Sequence, residues 1–353
     1  MAFSPQNRKG TMSGIIFVAI FAAAATFISG LAPIQALGLS PLVIGIVMGI
    51  FYANTLHNQT PKEWQTGITF SGKKILRFAI VVYGFRITFQ QIAEVGMEGF
   101  LVSLIMLTST LILGSWVGTK VFGMEKDTSI LTASGAAVCG AAAVLATEPV
   151  LKAEEYKTAI AVSMVVLFGT ISMFLYPVLY STIIENASGF LHMSPRVFGI
   201  YVGGTIHEVA QVVAVPASIP NTPVEMANSA VIVKMTRVIM IAPMLIVLGL
   251  YLAYSAKKEG GENSEKMKLV IPWFAVYFIG VAGFNSLQLI PLDIVDTINQ
   301  IDTFLLTMAM TALGMGTIFS KFKGLGLAPI YTATTMFVWL VVGGFVVTKL
   351  VCM

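Results

Sequence analysis

One ten-residue motif occurs twice in this chain, 154 residues apart, and it constrains the fold more than any single residue does. Residues 40–49 read Ser-Pro-Leu-Val-Ile-Gly-Ile-Val-Met-Gly, and residues 194–203 read Ser-Pro-Arg-Val-Phe-Gly-Ile-Tyr-Val-Gly. A second pair follows at an offset of 160, with Lys-Ile-Leu-Arg at residues 74–77 and Lys-Met-Thr-Arg at residues 234–237. The similar offsets indicate one duplicated block. In membrane proteins such a duplication is typical of secondary transporters, whose site lies where the two halves meet.

The composition assigns the chain to the membrane. Of the 353 residues, 56% are hydrophobic and 11% are charged, whereas a soluble domain has about 25% charged residues. A membrane-spanning helix needs about 20 predominantly apolar residues. The sequence predicts an all-α polytopic protein with eleven such spans, at residues 12–30, 40–56, 71–90, 97–122, 128–148, 157–183, 194–214, 223–254, 270–288, 297–319 and 326–350. No basic tract resembles a nucleic-acid-binding surface, so the lipid bilayer and not nucleic acid is the expected partner.

The basic residues between the spans predict the orientation of the chain, because cytoplasmic loops carry the excess of Lys and Arg. One set of alternate loops holds Lys152, Lys157 and Lys349. The other set holds fourteen such residues: Arg8, Lys9, Lys62, Lys73, Lys74, Lys120, Lys126, Arg196, Lys257, Lys258, Lys266, Lys268, Lys321 and Lys323. The N-terminus is therefore predicted to be cytoplasmic and the C-terminus to lie outside.

The repeated motifs open the second and seventh spans, and this odd offset predicts two halves of opposite orientation. Residues 40–183 would form one five-helix repeat and residues 194–350 the other, with residues 12–30 as an additional N-terminal helix of a single transporter domain. The fifth and tenth spans then correspond, and both contain runs of small residues, at 134–141 and 311–316. Such runs permit close helix packing. They also occur where a helix is broken and its free N–H groups hold an anion.

The second interpretation gives a set of candidate substrate contacts. It predicts that the fifth and tenth spans are broken, crossing helices. Their backbone donors would lie at Cys139, Gly140 and Ala141 and at Gly314 and Met315.

Charged residues within the predicted spans are few, and a central Lys or Arg favours a cavity or an ion pair over lipid. Lys234 and Arg237 are three residues apart, on one helical face, and would suit a bound anion or an ion pair with Glu208. Arg77 is predicted to reach the cytosolic interface from the end of its span. Arg86 is predicted to be an anchor at the opposite interface.

The densest polar cluster of any span is the run Gly-Gly-Thr-Ile-His-Glu-Val-Ala-Gln at residues 203–211. A helix would gather His207, Glu208 and Gln211 on one side. The run approaches the zinc-protease motif His-Glu-x-x-His, but Gln211 replaces the second His, so we expect neither a metal site nor an enzyme. The cluster is either a polar network between helices or a set of substrate and proton contacts, with Glu208 and His207 as the proton carriers.

Several of these runs resemble the sulfate exporter family of YeiH-like membrane proteins. They are Gly-Thr-Ile-His-Glu-Val-Ala-Gln-Val-Val at residues 204–213, Val-Lys-Met-Thr-Arg at 233–237 and Ala-Pro at 242–243. Val-Cys-Gly-Ala-Ala-Ala at residues 138–143 is similar to the family's Cys-Gly-Ala-Ser-Ala, with Ala142 where the family often has Ser. The resemblance implies an inner-membrane transporter of prokaryotic type. It also implies a fold similar to bile-acid sodium symporters and sodium/proton antiporters, with a panel and a core domain.

Two functional hypotheses follow. The first is a secondary transporter that exports a small anion, such as sulfate or an organosulfonate, by alternating access, with no cofactor. Coupling to H⁺ or Na⁺ and assembly into a homo-oligomer are both compatible with these residues. The second hypothesis is a cation/proton antiporter in which Glu208 exchanges a proton for Na⁺. Cation sites prefer carboxylate and carbonyl oxygens, and only one carboxylate is predicted deep in the membrane, so the first hypothesis is favoured.

Overall fold

A computed structural model describes residues 4, 7–31, 34, 40–56, 60–258, 273–322 and 326–353 of the chain. All regular secondary structure in these ranges is helical, as the composition predicts. The α-helices are α1 Arg8–Ser29, α2 Pro41–Thr55, α3 Gln65–Phe70, α4 Leu76–Tyr83, α5 Phe89–Trp116, α6 Lys126–Ala137, α7 Ala141–Leu151, α8 Glu155–Leu179, α9 Pro195–Thr205, α10 Val209–Ala217, α11 Val224–Ile239, α12 Ile241–Lys258, α13 Trp273–Ser286, α14 Leu292–Gly316, α15 Leu327–Val338 and α16 Gly344–Val351.

Five helical stretches are long and apolar enough to cross a membrane, and each coincides with a predicted span. They are Arg8–Ser29, Phe89–Val121, Tyr156–Ile184, Val224–Leu252 and Leu327–Val351. Shorter apolar helices accompany them, α2, α7 and α13. The predicted ninth span begins at residue 270, and its first three residues lie outside the described residues.

The third predicted span starts earlier than the sequence indicated. A π-helical turn, Ser71–Ile75, joins α3 to α4, and short 3₁₀ turns at Lys62–Trp64 and Gly84–Arg86 extend the helical segment at both ends. Lys73 and Lys74 were predicted in a loop and Arg77 at the cytosolic end. They lie instead eleven to fifteen residues into this segment, which is about 17–22 Å along a helix axis.

Arg86, predicted as an interfacial anchor, has an internal role at the end of this segment. Its Nη2 donates to the carboxylate of Asp302 (3.3 Å), the hydroxyl of Thr303 (2.8 Å) and the carbonyl of Asn299 (2.6 Å). The Asp302 side chain is fully buried in α14. The arginine therefore connects the third span to α14.

The helices form two bodies that pack mainly within themselves. The first body contains α1 to α4, α13 and α14, and the second contains α5 to α12, α15 and α16. Few contacts join the two bodies, chiefly those of α10 with α2 and α14 and of α13 with α5 and α11. Each body takes helices from both halves of the chain, so the bodies do not coincide with the predicted repeats.

The fifth predicted span does not cross the molecule. Its two halves, α6 and α7, fold back on each other, since Leu131 of α6 packs with Val144 of α7 in one buried cluster. At the start of α8, Lys157 pairs with Glu125, which precedes α6, at 2.7 Å. The chain therefore enters and leaves on the same side. We call α6, α7 and the turn at residues 138–140 the first hairpin, and that turn its tip.

The seventh predicted span is also divided, into α9 and α10. Gly199 and Gly203 of α9 pack in register along α11, against residues 226–230 and 230–233, so α9 and α11 run parallel. Val224, at the start of α11, therefore lies at the same end of the second body as the start of α9. Only six residues connect the end of α10 to Val224. Because this connection is short, α10 must run back toward the end at which α9 begins. We call α9, α10 and the turn at residues 206–208 the second hairpin, with that turn as its tip.

The two hairpins enter from opposite ends of the second body. Arg196, at the start of α9, pairs with Glu98 near the start of α5 at 2.7 Å. The start of α6 instead contacts the far end of α5, where the Ser129 hydroxyl donates to the carbonyl of Gly114. The fifth and seventh segments were predicted to span, and the structure corrects both to helical hairpins that meet inside the molecule.

The repeated motif has the same structural role in both copies. Ser40 and Ser194 precede the helices, and Pro41 and Pro195 occupy the first helical position. Pro is favoured there because it lacks an N–H group that would remain unpaired in any case. The glycines of the first copy contact α14, and those of the second copy contact α11. Each copy therefore provides a small-residue face for close packing.

The tenth span is not broken, contrary to prediction. Helix α14 is continuous over 25 residues, with Gly314 and Met315 at its end. A Cβ atom on Gly314 would collide with the carbonyl of Ile46 and the Cα of Gly49. Met315 is buried in a small cluster with α1 and α2. The small residues of this span therefore permit close packing, the first of the two interpretations considered above.

Candidate functional site

The two hairpin tips meet around Lys234, near the middle of α11. Its ammonium group donates to the carbonyl of Val138 at 2.6 Å and to the carbonyl of Ile206 at 2.6 Å. These residues are the C-caps of α6 and α9. Helix C-terminal ends carry about half a negative charge each, so the fully buried lysine stabilises both ends at once.

Arg237, one turn further along α11, holds the first hairpin only. Its Nε donates to the carbonyl of Ala137 (2.9 Å), and Nη2 donates to the carbonyls of Ala136 (3.2 Å) and Ala137 (2.5 Å). Its side chain is fully buried, and Nη1 has no hydrogen-bond partner among the described residues. One guanidinium nitrogen therefore remains available to a ligand.

The tip of the first hairpin requires a glycine. Val138 leaves the helical region at φ −120° and ψ −88°, and Gly140 has φ +74° and ψ −137°. That region of positive φ is almost restricted to glycine. A Cβ atom on Gly140 would also collide with the side chain of Glu208. The two tips are therefore in direct contact at this glycine.

The tip of the second hairpin carries the polar side chains. Ile206 and Glu208 are extended, so α9 ends at Thr205 and α10 begins at Val209, with Glu208 as N-cap. The Glu208 backbone N–H donates to Oε1 of Gln211 at 3.1 Å. The predicted continuous helix through this run is thus wrong, although capping still brings Glu208 and Gln211 together.

Glu208 points toward the first hairpin. Its side chain lies against Gly140, the N-cap of α7. Helix N-termini favour negative charge, so this carboxylate occupies a position that the sequence assigned to an anionic substrate. Glu208 is partly exposed, whereas Lys234 and Arg237 are buried.

Two further polar groups of the second hairpin lack partners among the described residues. Nδ1 of His207 and Nε2 of Gln211 are buried without a hydrogen-bond partner among the described residues. Buried polar groups in proteins are almost always satisfied. Together with Nη1 of Arg237, they are the groups most in need of a ligand or water.

A layer of tyrosines supports the second tip. The hydroxyl of Tyr176 in α8 donates to Oγ1 of Thr205 at 2.9 Å, and the Tyr176 and Tyr201 rings stack at 4.9 Å. Thr205 in turn donates to the carbonyl of Tyr201. These contacts fix the last turn of α9 and so the start of the tip.

A cavity of about 580 Å³ lies beside the first tip, between the two bodies. Cys139 and Ala142 form its wall on the side of the tip, and Val238 and Ile241 continue that wall. The opposite wall comes from α4 and α13, which contribute the residues Arg77, Phe78, Val81, Trp273, Phe274 and Tyr277. The cavity therefore extends from the first tip to the interface between the two bodies.

The structure groups most of the predicted site residues and separates two. Around the tips lie Cys139, Gly140, Ala141, His207, Glu208, Gln211, Lys234 and Arg237. Gly314 and Met315 lie at the crossing of α14 with α2.

Sequence reasoning missed the wall formed by Arg77, Trp273 and Phe274. Arg77 was the available signal, since it is a basic residue directly before the apolar run at residues 78–83.

The fold and the site define a class: a polytopic α-helical membrane protein with two opposed hairpins that meet at buried charges. The chain belongs to the family described as Conserved hypothetical protein 698, whose model matches residues 13–333. It is 44% identical over 348 residues to a UPF0324 membrane protein of Pseudomonas putida, covering 98% of this chain and 96% of the relative.

Other relatives are similarly close. A UPF0324 membrane protein of Bacteroides thetaiotaomicron is 43% identical over 338 residues, covering 96% of this chain and 98% of the relative. The UPF0324 inner membrane protein YeiH of Escherichia coli is 44% identical over 332 residues, covering 94% of this chain and 91% of the relative. The predicted resemblance to YeiH-like membrane proteins is confirmed, and the sulfate specificity stays a prediction.

Proposed function

We propose that this protein is a secondary active transporter of a small anion, of the sulfate or organosulfonate type, that works by alternating access. The observation that carries the proposal is the charge at the tips. Two buried basic side chains, Lys234 and Arg237, lie at the tips together with one carboxylate, Glu208. A net positive charge inside a membrane protein is costly unless a counter-charge is present, and an anionic substrate supplies that counter-charge.

The arrangement of the hairpins supports a transport cycle. The two hairpins enter from opposite ends of the second body, and both tips contact Lys234. Relative movement of the two bodies would open the cavity beside the first tip to one side, then close it and open the other. Irregular backbone at membrane depth is tolerated where it lines such a cavity. The proposal assigns no chemical reaction to the protein and requires no cofactor.

The proposed orientation is compatible with the same geometry. If the N-terminus is cytoplasmic, the first hairpin enters from the cytoplasm and the second from outside. Lys152 and Lys157 then move to the charge-rich cytoplasmic set and Arg196 leaves it, which strengthens the bias of basic residues. We therefore propose a location in the inner membrane, with the C-terminus outside. Export of the anion and assembly into a homo-oligomer belong to the same proposal.

One observation favours the second candidate, a cation/proton antiporter. Lys234 and Arg237 already donate to carbonyls, whereas Glu208 is partly exposed and is the only carboxylate at the tips described here. An exchangeable carboxylate of this kind could carry a proton and a cation in turn. In this scheme the two buried cations would only hold the hairpins in place.

Reconstitution in liposomes tests the proposal. We expect uptake of labelled sulfate or of small sulfonates, with a dependence on a pH or Na⁺ gradient that identifies the coupling ion. Arg237→Lys keeps the charge but removes the free guanidinium nitrogen, so transport should fall, while Arg8→Lys, at an exposed position of α1, should leave it unchanged. Sodium or proton flux that is independent of any anion and abolished by Glu208→Gln would instead establish the antiporter.

A further inference from the structure

The cavity beside the first tip differs chemically from a site for an inorganic ion. Its wall on α13 consists of Trp273, Phe274 and Tyr277, and its wall on the hairpin consists of Cys139 and alanine side chains. Arg77 is the only residue with a charged side chain among those that line it. One cationic group therefore faces a largely apolar and aromatic space.

Arg77 is available to a ligand. Its guanidinium carbon lies 5.8 Å from the centre of the Phe274 ring, and it forms no ion pair with a described carboxylate. The side chain is exposed, about 22 Å along a helical segment that starts at Lys62. Lys73 and Lys74 are exposed on the same segment. Insertion of each such charge into lipid costs about 2.5–3.5 kcal/mol, so contact with water or with an anionic ligand is favoured over contact with lipid.

The size and the lining of the cavity distinguish between classes of anion. Cavities of about 300–1,000 Å³ hold organic ligands of drug-like size, and this one measures about 580 Å³. Sulfate is compact, doubly charged and strongly hydrated, and apolar walls cannot replace its lost water. A monoanion with an apolar body would instead pack on the aromatic rings and pair its charged end with the arginine fork.

We infer that this cavity binds an organic monoanion, a carboxylate or a sulfonate, whose apolar body packs on Trp273, Phe274 and Tyr277 while its charged end pairs with Arg77. The inference rests on the proposed transport of anions and narrows it to one substrate class. The unpartnered groups at the tips would then receive the charged end after it leaves Arg77.

Tryptophan fluorescence of the full-length protein in lipid nanodiscs tests this assignment directly. Benzenesulfonate and benzoate should quench the emission in a saturable manner, whereas sulfate should not. Trp273→Phe should abolish the quenching while the other three tryptophans remain. Benzenesulfonamide, a neutral molecule of nearly the same shape, should bind about tenfold or more weakly, because it cannot form the charge-assisted hydrogen bonds.

Variants of the arginine separate recognition of charge from simple hydrophobic binding. Arg77→Gln should weaken benzenesulfonate binding about tenfold or more. Arg77→Lys should have an intermediate effect, and Arg8→Gln, at an exposed position of α1, should have none. Equal affinity for the sulfonate and the sulfonamide, or unchanged binding in Arg77→Gln, would overturn the inference and indicate a cavity for lipid chains.

Transport assays distinguish this inference from the proposed function. Counterflow of labelled benzenesulfonate that depends on Arg77 supports both. Transport of sulfate without binding of any aromatic anion would sustain the proposed function and overturn the inference. Saturable binding of the aromatic anions without transport of any anion would overturn the proposed function, and with it the role of this cavity in transport.

Discussion

The two hairpins differ in what they bring to the point where they meet. The tip of the first hairpin, residues 138–140, carries no charged side chain and offers carbonyl groups, a helix N-terminus and a glycine with positive φ. The tip of the second hairpin, residues 206–208, carries His207 and Glu208. Arg237 holds the first hairpin, whereas Lys234 holds both.

This difference indicates a division of roles. The first tip is fixed by hydrogen bonds from α11 to three successive carbonyls, those of Ala136, Ala137 and Val138. The second tip receives one such bond, at Ile206, and relies otherwise on its own capping and on the tyrosine layer. We therefore expect the first hairpin to be the fixed support and the second to be the more mobile partner. Substitutions that affect one hairpin and spare the other test whether the two hairpins have these different roles.

Replacement of Lys234 should have the largest effect, because both hairpins depend on it. Lys234→Met keeps a similar volume and removes two hydrogen bonds to a charged donor, at a cost of about 3–6 kcal/mol in the free energy of unfolding. Thermal unfolding of the purified protein measures the loss. Lys349→Met is the matched control, since Lys349 also donates to a carbonyl, that of His192, but at the surface. Equal effects in the two variants would contradict the bridging role.

Replacement of Arg237 should affect the first hairpin alone. Arg237→Met removes its bonds to Ala136 and Ala137, at a cost of about 2–4 kcal/mol in local stability. Hydrogen exchange should then accelerate at the amide of Val138, which is bonded to the carbonyl of Ser134, but not at Val212 in α10. Faster exchange at both positions would show that the hairpins are not independent.

A methyl group on Gly140 should disturb the contact between the tips. Gly140→Ala places a non-glycine residue at φ +74°, with a strain of about 1–3 kcal/mol, and pushes against Glu208. Gly123→Ala is the control, since Gly123 has φ +66° but nothing within 4 Å of its added Cβ. Both variants should lose stability, and only the first should also lose transport. Equal transport in both would mean that the tips need not touch.

The smallest effect is expected where the first hairpin is anchored at the surface. A hydrogen bond from Lys157 lowers the pKa of Glu125 below its ordinary value. Because the folded-state pKa is the lower one, this stabilisation is present above the unfolded pKa and is lost as the pH falls through the folded pKa.

Urea or thermal unfolding between pH 7 and pH 3 measures this contribution. Glu125→Gln should be less stable than the parent protein at neutral pH, and the difference should shrink with acidification. The neighbouring Glu154→Gln supplies the control. A difference that stayed constant with pH would show that the ion pair contributes nothing to stability.

Much of the fold was predictable, because the hydropathy of the sequence gives the length of each apolar segment directly. The helical class and five spans followed from it, and the repeated motif marked the starts of two helices, at Pro41 and Pro195. Hydropathy cannot distinguish a span from a hairpin, since residues 128–148 are apolar in either case. That distinction depends on the tertiary contacts of Leu131 and Lys157.

The candidate site was predictable in part for a similar reason. The charges at 207–211 and 234–237 were visible because charge is rare in membrane spans. Gly140 and Gly314 both lie in runs of small residues, but Gly140 forms a turn and Gly314 packs within a helix. The first has φ +74°, whereas the second lies in regular helix against α2. Backbone conformation of this kind does not follow from a run of small residues.

Sidedness of labelling at single cysteines tests whether the two hairpins enter from opposite sides and meet at Lys234. Cysteine would replace Lys126 and Glu154 at the ends of the first hairpin, and Ser188 and Glu225 at the ends of the second, in a chain without Cys139 and Cys352. An impermeant thiol reagent would be applied to right-side-out and inverted vesicles. We predict that positions 126 and 154 react from one side and positions 188 and 225 from the other. Reaction of 126 and 154 from opposite sides would show that this segment crosses the membrane and is not a hairpin.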